Sequence, residues 1–111
     1  MTVRDDSLYL LHIIDAIKQV EEYLGNLDYE GFSHSRLVQD GVIRQFEIIG
    51  EATKNLSNVT RDRVPQVPWK NMAGMRDKLI HQYFGVDIES VWETAKTDLP
   101  FIQQQVALLL K

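Results

Sequence analysis

The sequence predicts an all-α protein, an antiparallel four-helix bundle with a short accessory helix. Three observations carry this. Apolar residues recur at three- and four-residue intervals over long stretches of the chain. No stretch alternates apolar and polar residues with a period of two over a useful length, so no sheet is expected. Gly, Asn, Ser and Pro cluster between the periodic stretches, where helices should stop and start.

The first helix is expected over about 6–24. Leu10, Ile13, Ile14, Ile17, Val20 and Leu24 form its inner face, Asp6 or Ser7 can cap its start, and Gly25-Asn26 stops it. Residues 28–35 then form a connector, with Tyr29 and Phe32 pinning it to the core. The second long helix is expected over about 35–56. Val38, Val42, Phe46, Ile49, Thr53 and Leu56 face inward, while Gly41, Ile48 and Ala52 form a second face that another helix can approach closely. Residues 55–67 carry Ser57, Asn58, Thr60 and Pro65 and read as a loop with room for one helical turn. Pro68 or Trp69 opens a short turn leading into the third helix, which carries Arg76 and His81, and Gly85 ends that helix. Asp87 can cap the last helix, expected over about 88–110. Its inner face is Ile88, Val91, Trp92, Ala95, Leu99, Ile102, Val106 and Leu109, and Pro100 should kink it.

The chain has 111 residues, which suits one helical domain over 1–111. Hydrophobic residues make up 44% and charged residues 25%, as in ordinary soluble proteins. With no cysteine there is neither a disulfide scaffold nor a thiolate metal site, and a reducing cytoplasm is the expected location. The first six residues are polar and acidic, unlike a signal peptide. No apolar run approaches the ~20 residues of a membrane span, so no membrane association is expected. A net charge of -4 argues against non-specific coating of nucleic acid but leaves room for a local basic cleft.

The most informative stretch is Arg76-Asp77-Lys78-Leu79-Ile80-His81-Gln82-Tyr83. On a helix at ~100° per residue, Leu79, Ile80, Tyr83 and Phe84 form one apolar stripe with Arg76 near its middle. A guanidinium there needs a carboxylate partner or faces a site that wants positive charge. Asp77 lies four residues before His81, on one face, and can fix the imidazole tautomer. An imidazole can exchange a proton near neutral pH, and an arginine fork can hold a phosphate. Together they can cleave RNA without a metal or cofactor. The bland alternative is an ion pair and a polar surface histidine.

Four blocks bear on that choice. They are Gly74-Met75-Arg76-Asp77-Lys78-Leu79-Ile80-His81-Gln82-Tyr83-Phe84-Gly85-Val86-Asp87, Ile48-Ile49-Gly50-Glu51-Ala52, Val67-Pro68-Trp69 and Asp98-Leu99-Pro100. In this order they resemble the HepT-like toxins of the HEPN superfamily, over nearly the whole chain. The resemblance implies an HEPN-like helical fold, a two-fold homodimer and a metal-independent endoribonuclease of a toxin-antitoxin system. Arg76 and His81 would be the catalytic pair, and the two copies would bring their motifs together across a cleft. It further implies a minimal nucleotidyltransferase antitoxin (MntA-like) as partner, which would add AMP to Tyr83. A core tyrosine with its hydroxyl at the rim is the structural alternative for Tyr83.

Asp77 and Glu51 are the supporting candidates, Glu51 as a partner for Arg76. The polar face Arg44, Glu47, Glu51, Asn55 can equally be a solvated surface laced with ion pairs. Arg44, Lys54 and Lys78 are candidates for RNA contact, although such side chains commonly only solubilise. Trp69 and Trp92 read as core rather than as base-stacking platforms. His12 and His34 have no companion that suggests chemistry. The functional alternative is a non-catalytic HEPN module that binds a nucleotide or a partner protein.

Overall fold

The structure, a computed structural model, describes residues 5–81 and 87–111, and describes side chains throughout these except at 76–81. Among the described residues there are helices and turns but no strand. Helix α1 spans Ser7–Leu24, α2 Tyr29–Ser33, α3 Arg36–Lys54, α4 Asn58–Arg63, α5 Trp69–His81, α6 Ile88–Glu93 and α7 Leu99–Leu109. A π turn over Thr94–Asp98 joins α6 to α7, so the last three stretches form one long helix. This is an all-α, HEPN-like fold. Among the described residues four long helical elements form it, with two short helices, α2 and α4, where one accessory segment was expected.

The helix ends follow local chemistry. Gly25 closes α1 with φ +49°, a backbone conformation that costs glycine nothing, and its N–H donates to the Glu21 carbonyl. Asp28 caps α2 by accepting from the Gly31 N–H at 2.8 Å. Ser35 and Ser57 cap α3 and α4, and the Asp87 carboxylate accepts from the Glu89 and Ser90 N–H groups at the start of α6. The second long helix stops at Lys54 rather than at Leu56, because Asn55 takes the C-cap and Ser57 starts a new helix two residues later.

The core lies between α1, α3 and the last long helix, with α5 packed on α3. Leu10, Ile13, Ile17 and Val20 of α1 meet Val42, Phe46 and Ile49 of α3, and Val91, Leu99, Ile102 and Val106 close the far side. The expected small-residue face of α3 is where α1 comes close. A Cβ at Gly41 would stand 3.1 Å from the Tyr23 ring, tighter than ordinary van der Waals contact. Phe32 is fully buried and packs on Trp92, which also meets Tyr29 edge-on, so the connector is pinned as its aromatics suggested.

Pro100 has a subtler effect than an expected kink alone. It cannot donate a hydrogen bond four residues back, and its ring crowds that carbonyl. The chain widens one turn earlier: the Leu99 N–H reaches the Thr94 carbonyl, five residues back. Such a turn lets a helix continue past a misfit by carrying one extra residue.

A second long-range tie was not foreseen. Asp6 supplies the backbone start of α1, but its side chain makes no cap there. It is fully buried and crosses to α4, where Oδ2 accepts from the Ser57 N–H at 2.9 Å, the Ser57 hydroxyl at 2.7 Å and the Thr60 hydroxyl. Oδ1 is buried and has no hydrogen-bond partner among the described residues. Burial pushes the Asp6 carboxyl up, but the hydrogen bonds from Thr60 and Ser57 outweigh it and hold the pKa below its ordinary value.

Candidate functional site

The third long helix, α5, carries the motif, and its first turn is anchored firmly. The Trp69 indole N–H is shared between the Arg61 and Val64 carbonyls, at 3.1 Å each, and Trp69 is buried. The Met72 N–H donates to the Pro68 carbonyl at 3.0 Å, and the Met72 side chain is wholly buried. These contacts set the rotation of α5 about its axis. Positions 69 and 72 lie one turn apart on the anchored side of α5, and position 76 follows one turn beyond 72 along the helix. Position 81 falls on the face of Gly74 and Lys70, seven and eleven residues before it. The side chains of Arg76, Asp77, Lys78 and His81 lie outside those described, as does Tyr83 altogether, and so does the Gly85 stop.

Two concavities are candidates for a site. The larger, about 830 Å³, runs between α5 and the α6–π-turn stretch. Phe46, Met72, Val91 and Ile102 give it an apolar lining, and Lys70, Asn71, Thr94 and Asp98 supply polar groups. The smaller, about 390 Å³, lies between α1 and α3 and is lined by Tyr9, His12, Arg44, Glu47, Glu51 and Asn55 among others. The polar face read from α3 is therefore one wall of a groove. Arg44 pairs with Glu47 at 3.3 Å with its own side chain 68% exposed, a geometry that contributes little to stability. The Asn55 amide donates to the Glu51 carbonyl at 2.9 Å.

The structure brings Arg44 and Glu51 to one groove and leaves Lys54 exposed on α3 outside its lining. It also gives His12 companions that its sequence position did not suggest: its ring stands edge-on to Tyr9, 6.4 Å between centroids, in the same groove. His34 sits elsewhere, its Nδ1 2.8 Å from the Glu30 carbonyl, as part of the α2 terminus. Trp69 is core, and Trp92 is half-buried against Phe32 and Tyr29 with the Lys96 ammonium 5.4 Å from its ring centre. Among the described residues, no three His, Asp or Glu side chains are grouped to hold a metal ion. No helix among them is long and apolar enough to cross a membrane.

Sequence reasoning did not single out Lys70, Asn71, Thr94 or as a group the walls of the larger cleft. The signal was present only in part, as Asp98 within the Asp98-Leu99-Pro100 block.

Comparison with known proteins places these features in context. Residues 13–109 match the family model described as Ribonuclease HepT-like. A protein of Thermococcus cleftensis named "Probable ribonuclease HepT" is 45% identical over 103 residues, covering 93% of this chain and 94% of that protein. Two proteins of Methanocaldococcus jannaschii that carry the name "Putative RNase" are 41% and 40% identical over 111 residues, covering all of this chain and 96% and 92% of their own lengths. No solved structure matches at comparable significance.

Proposed function

This chain belongs to the HepT-like ribonuclease family, and from that premise we propose that it is a metal-independent endoribonuclease acting through Arg76 and His81. The observation that carries the reading is the coincidence of a family match over 13–109 with a continuous helix through Arg76-x4-His81. The anchored first turn of α5 holds that helix in register, which is what a two-residue catalytic set requires.

The chemistry follows from the two side chains. His81 takes the proton of a ribose 2′-hydroxyl, and the 2′-oxygen forms a bond to phosphorus. The bond from phosphorus to the 5′-oxygen breaks, and that oxygen leaves with a proton. Arg76 holds the phosphate and offsets the charge that builds on its oxygens. One histidine would have to serve as both base and acid. A two-fold homodimer supplies a second copy of the motif, so that one imidazole accepts while its symmetry mate donates. Asp77 orients His81, Glu51 holds Arg76, and Arg44, Lys54 and Lys78 contact the RNA backbone.

Control of such an enzyme falls to a minimal nucleotidyltransferase antitoxin. Tyr83, two residues beyond His81, attacks the α-phosphorus of ATP, forming an O–P bond and releasing pyrophosphate. The attached phosphate neutralises Arg76 and the nucleotide fills the RNA cleft.

The test is the chemistry of the cut ends in the presence of a chelator. Cleavage in EDTA that leaves 2′,3′-cyclic phosphate and 5′-hydroxyl ends is the expected result. Products with 3′-hydroxyl and 5′-phosphate ends, or activity only with added divalent metal, would contradict it.

A further inference from the structure

We propose that the cleft between α5 and the π turn is a subsite for one nucleotide of the RNA, with Asp98 reading the edge of its base. The inference rests on the ribonuclease reading above and extends it to substrate selection.

Size and chemistry agree. At about 830 Å³ the cleft falls in the range of sites that hold small ligands. A nucleotide has an apolar base face, a polar base edge and an anionic phosphate. The cleft offers Met72 and Phe46 to the face, Thr94 and Asp98 to the edge, and the Lys70 ammonium to the phosphate; Asp87, also in the lining, has its carboxylate engaged by the Glu89 and Ser90 N–H groups. The α1–α3 groove is half as large, and the Arg44 guanidinium in its lining is already paired with Glu47.

Gly74 is the second, independent observation. It lies inside α5, where glycine costs about 1 kcal/mol relative to alanine. A Cβ there would meet nothing within 4 Å, so packing within the chain gives no reason for glycine. Its effect is to leave the α5 wall of the cleft bare at that one position. Position 81 follows two turns later on that same face, so a nucleotide lying against Gly74 is aligned with the motif along the helix.

The opposite wall is specialised as well. Thr94 opens the π turn and Asp98 closes it, and both line the cleft. Single π turns occur frequently at functional sites. An ionised carboxylate only accepts hydrogen bonds, so Asp98 favours a base edge with an exocyclic amino group, adenine, cytosine or guanine, over uracil, whose lone N–H is flanked by two carbonyl oxygens that repel the carboxylate.

Two variants of the full chain test the idea. Gly74→Phe fills the cleft. In a His81→Ala background, which removes cleavage from the measurement, it should weaken binding of a short single-stranded RNA by about tenfold or more, read by fluorescence anisotropy. Asp98→Asn, at an exposed position, can donate as well as accept. In the cleaving protein it should reduce the preference for amino-bearing bases beside the cut by about tenfold while leaving the end-group chemistry unchanged. If Gly74→Phe fails to fold, Asp98→Asn carries the test alone. Unchanged RNA affinity in Gly74→Phe together with an unchanged base preference in Asp98→Asn would overturn the proposal. So would a Gly74→Phe protein whose only change is in its oligomeric state, since the cleft would then be a contact between copies. RNA bound in the cleft but never cut by the parent protein would sink the ribonuclease reading and leave the subsite standing.

Discussion

Replacing Asp6 with alanine should reveal how strongly the start of α1 is tied to α4. The carboxylate accepts three hydrogen bonds at Oδ2, from the Ser57 N–H, the Ser57 hydroxyl and the Thr60 hydroxyl. Hydrogen bonds to a charged group are each worth roughly 1.5–3 kcal/mol, but three that share one oxygen do not add fully. Thr60 is fully buried, so its hydroxyl loses a partner with little access to water. Against this, the variant also removes the unpartnered Oδ1. The net expectation is a loss of about 3 kcal/mol. For a chain of this length that lowers Tm by roughly 12 °C.

The pH dependence has a definite sign. The folded pKa of Asp6 lies below its unfolded value, so its contribution is fully present above the unfolded pKa of about 4 and fades as pH falls through the lower folded value. Urea denaturation followed by circular dichroism should show a constant gap between wild type and Asp6→Ala from about pH 5 to 8, narrowing in more acidic solution. A variant within about 0.5 kcal/mol of wild type at pH 7 would refute the reasoning, because surface substitutions alone give that much.

Other expectations follow from the same contacts. Trp69→Phe keeps most of the apolar volume but leaves the Arg61 and Val64 carbonyls without their shared donor; it should cost about 1–3 kcal/mol in urea denaturation. If Tyr83 is the acceptor, incubation with ATP and the nucleotidyltransferase should raise the mass of the chain by whole AMP units, and Tyr83→Phe should abolish the increment. Label on another residue, or label that survives Tyr83→Phe, would count against that role.

Much of the fold was legible because it rests on local periodicity. The stripe Leu10, Ile13, Ile17, Val20, Leu24 and the stripe Val42, Phe46, Ile49, Thr53 are buried as their spacing requires. The cap at Asp87 and the stop at Gly25 are likewise local. What escaped depends on contacts between distant residues. Asp6 looked like an ordinary cap for its own helix, and nothing in its neighbourhood points to Ser57, 51 residues away. His12 looked isolated because Glu51 and Arg44 come to line the same groove only through the packing of α1 on α3. Pro100 announced a disturbance in the last helix, but whether a helix kinks or widens depends on how its neighbours hold it. At the site, sequence identified the helix and the spacing of Arg76 and His81. The larger cleft needs walls from α5 and from the π turn, which no single window of sequence contains.

The most direct measurement is RNA cleavage by wild type, Arg76→Ala and His81→Ala, with helicity and oligomeric state monitored on the same samples. The account predicts that both variants keep the helical fold and assembly of the parent while cleavage falls by about a hundredfold or more, the scale of a lost general acid–base group. A folded His81→Ala protein that cuts RNA at the wild-type rate would contradict it.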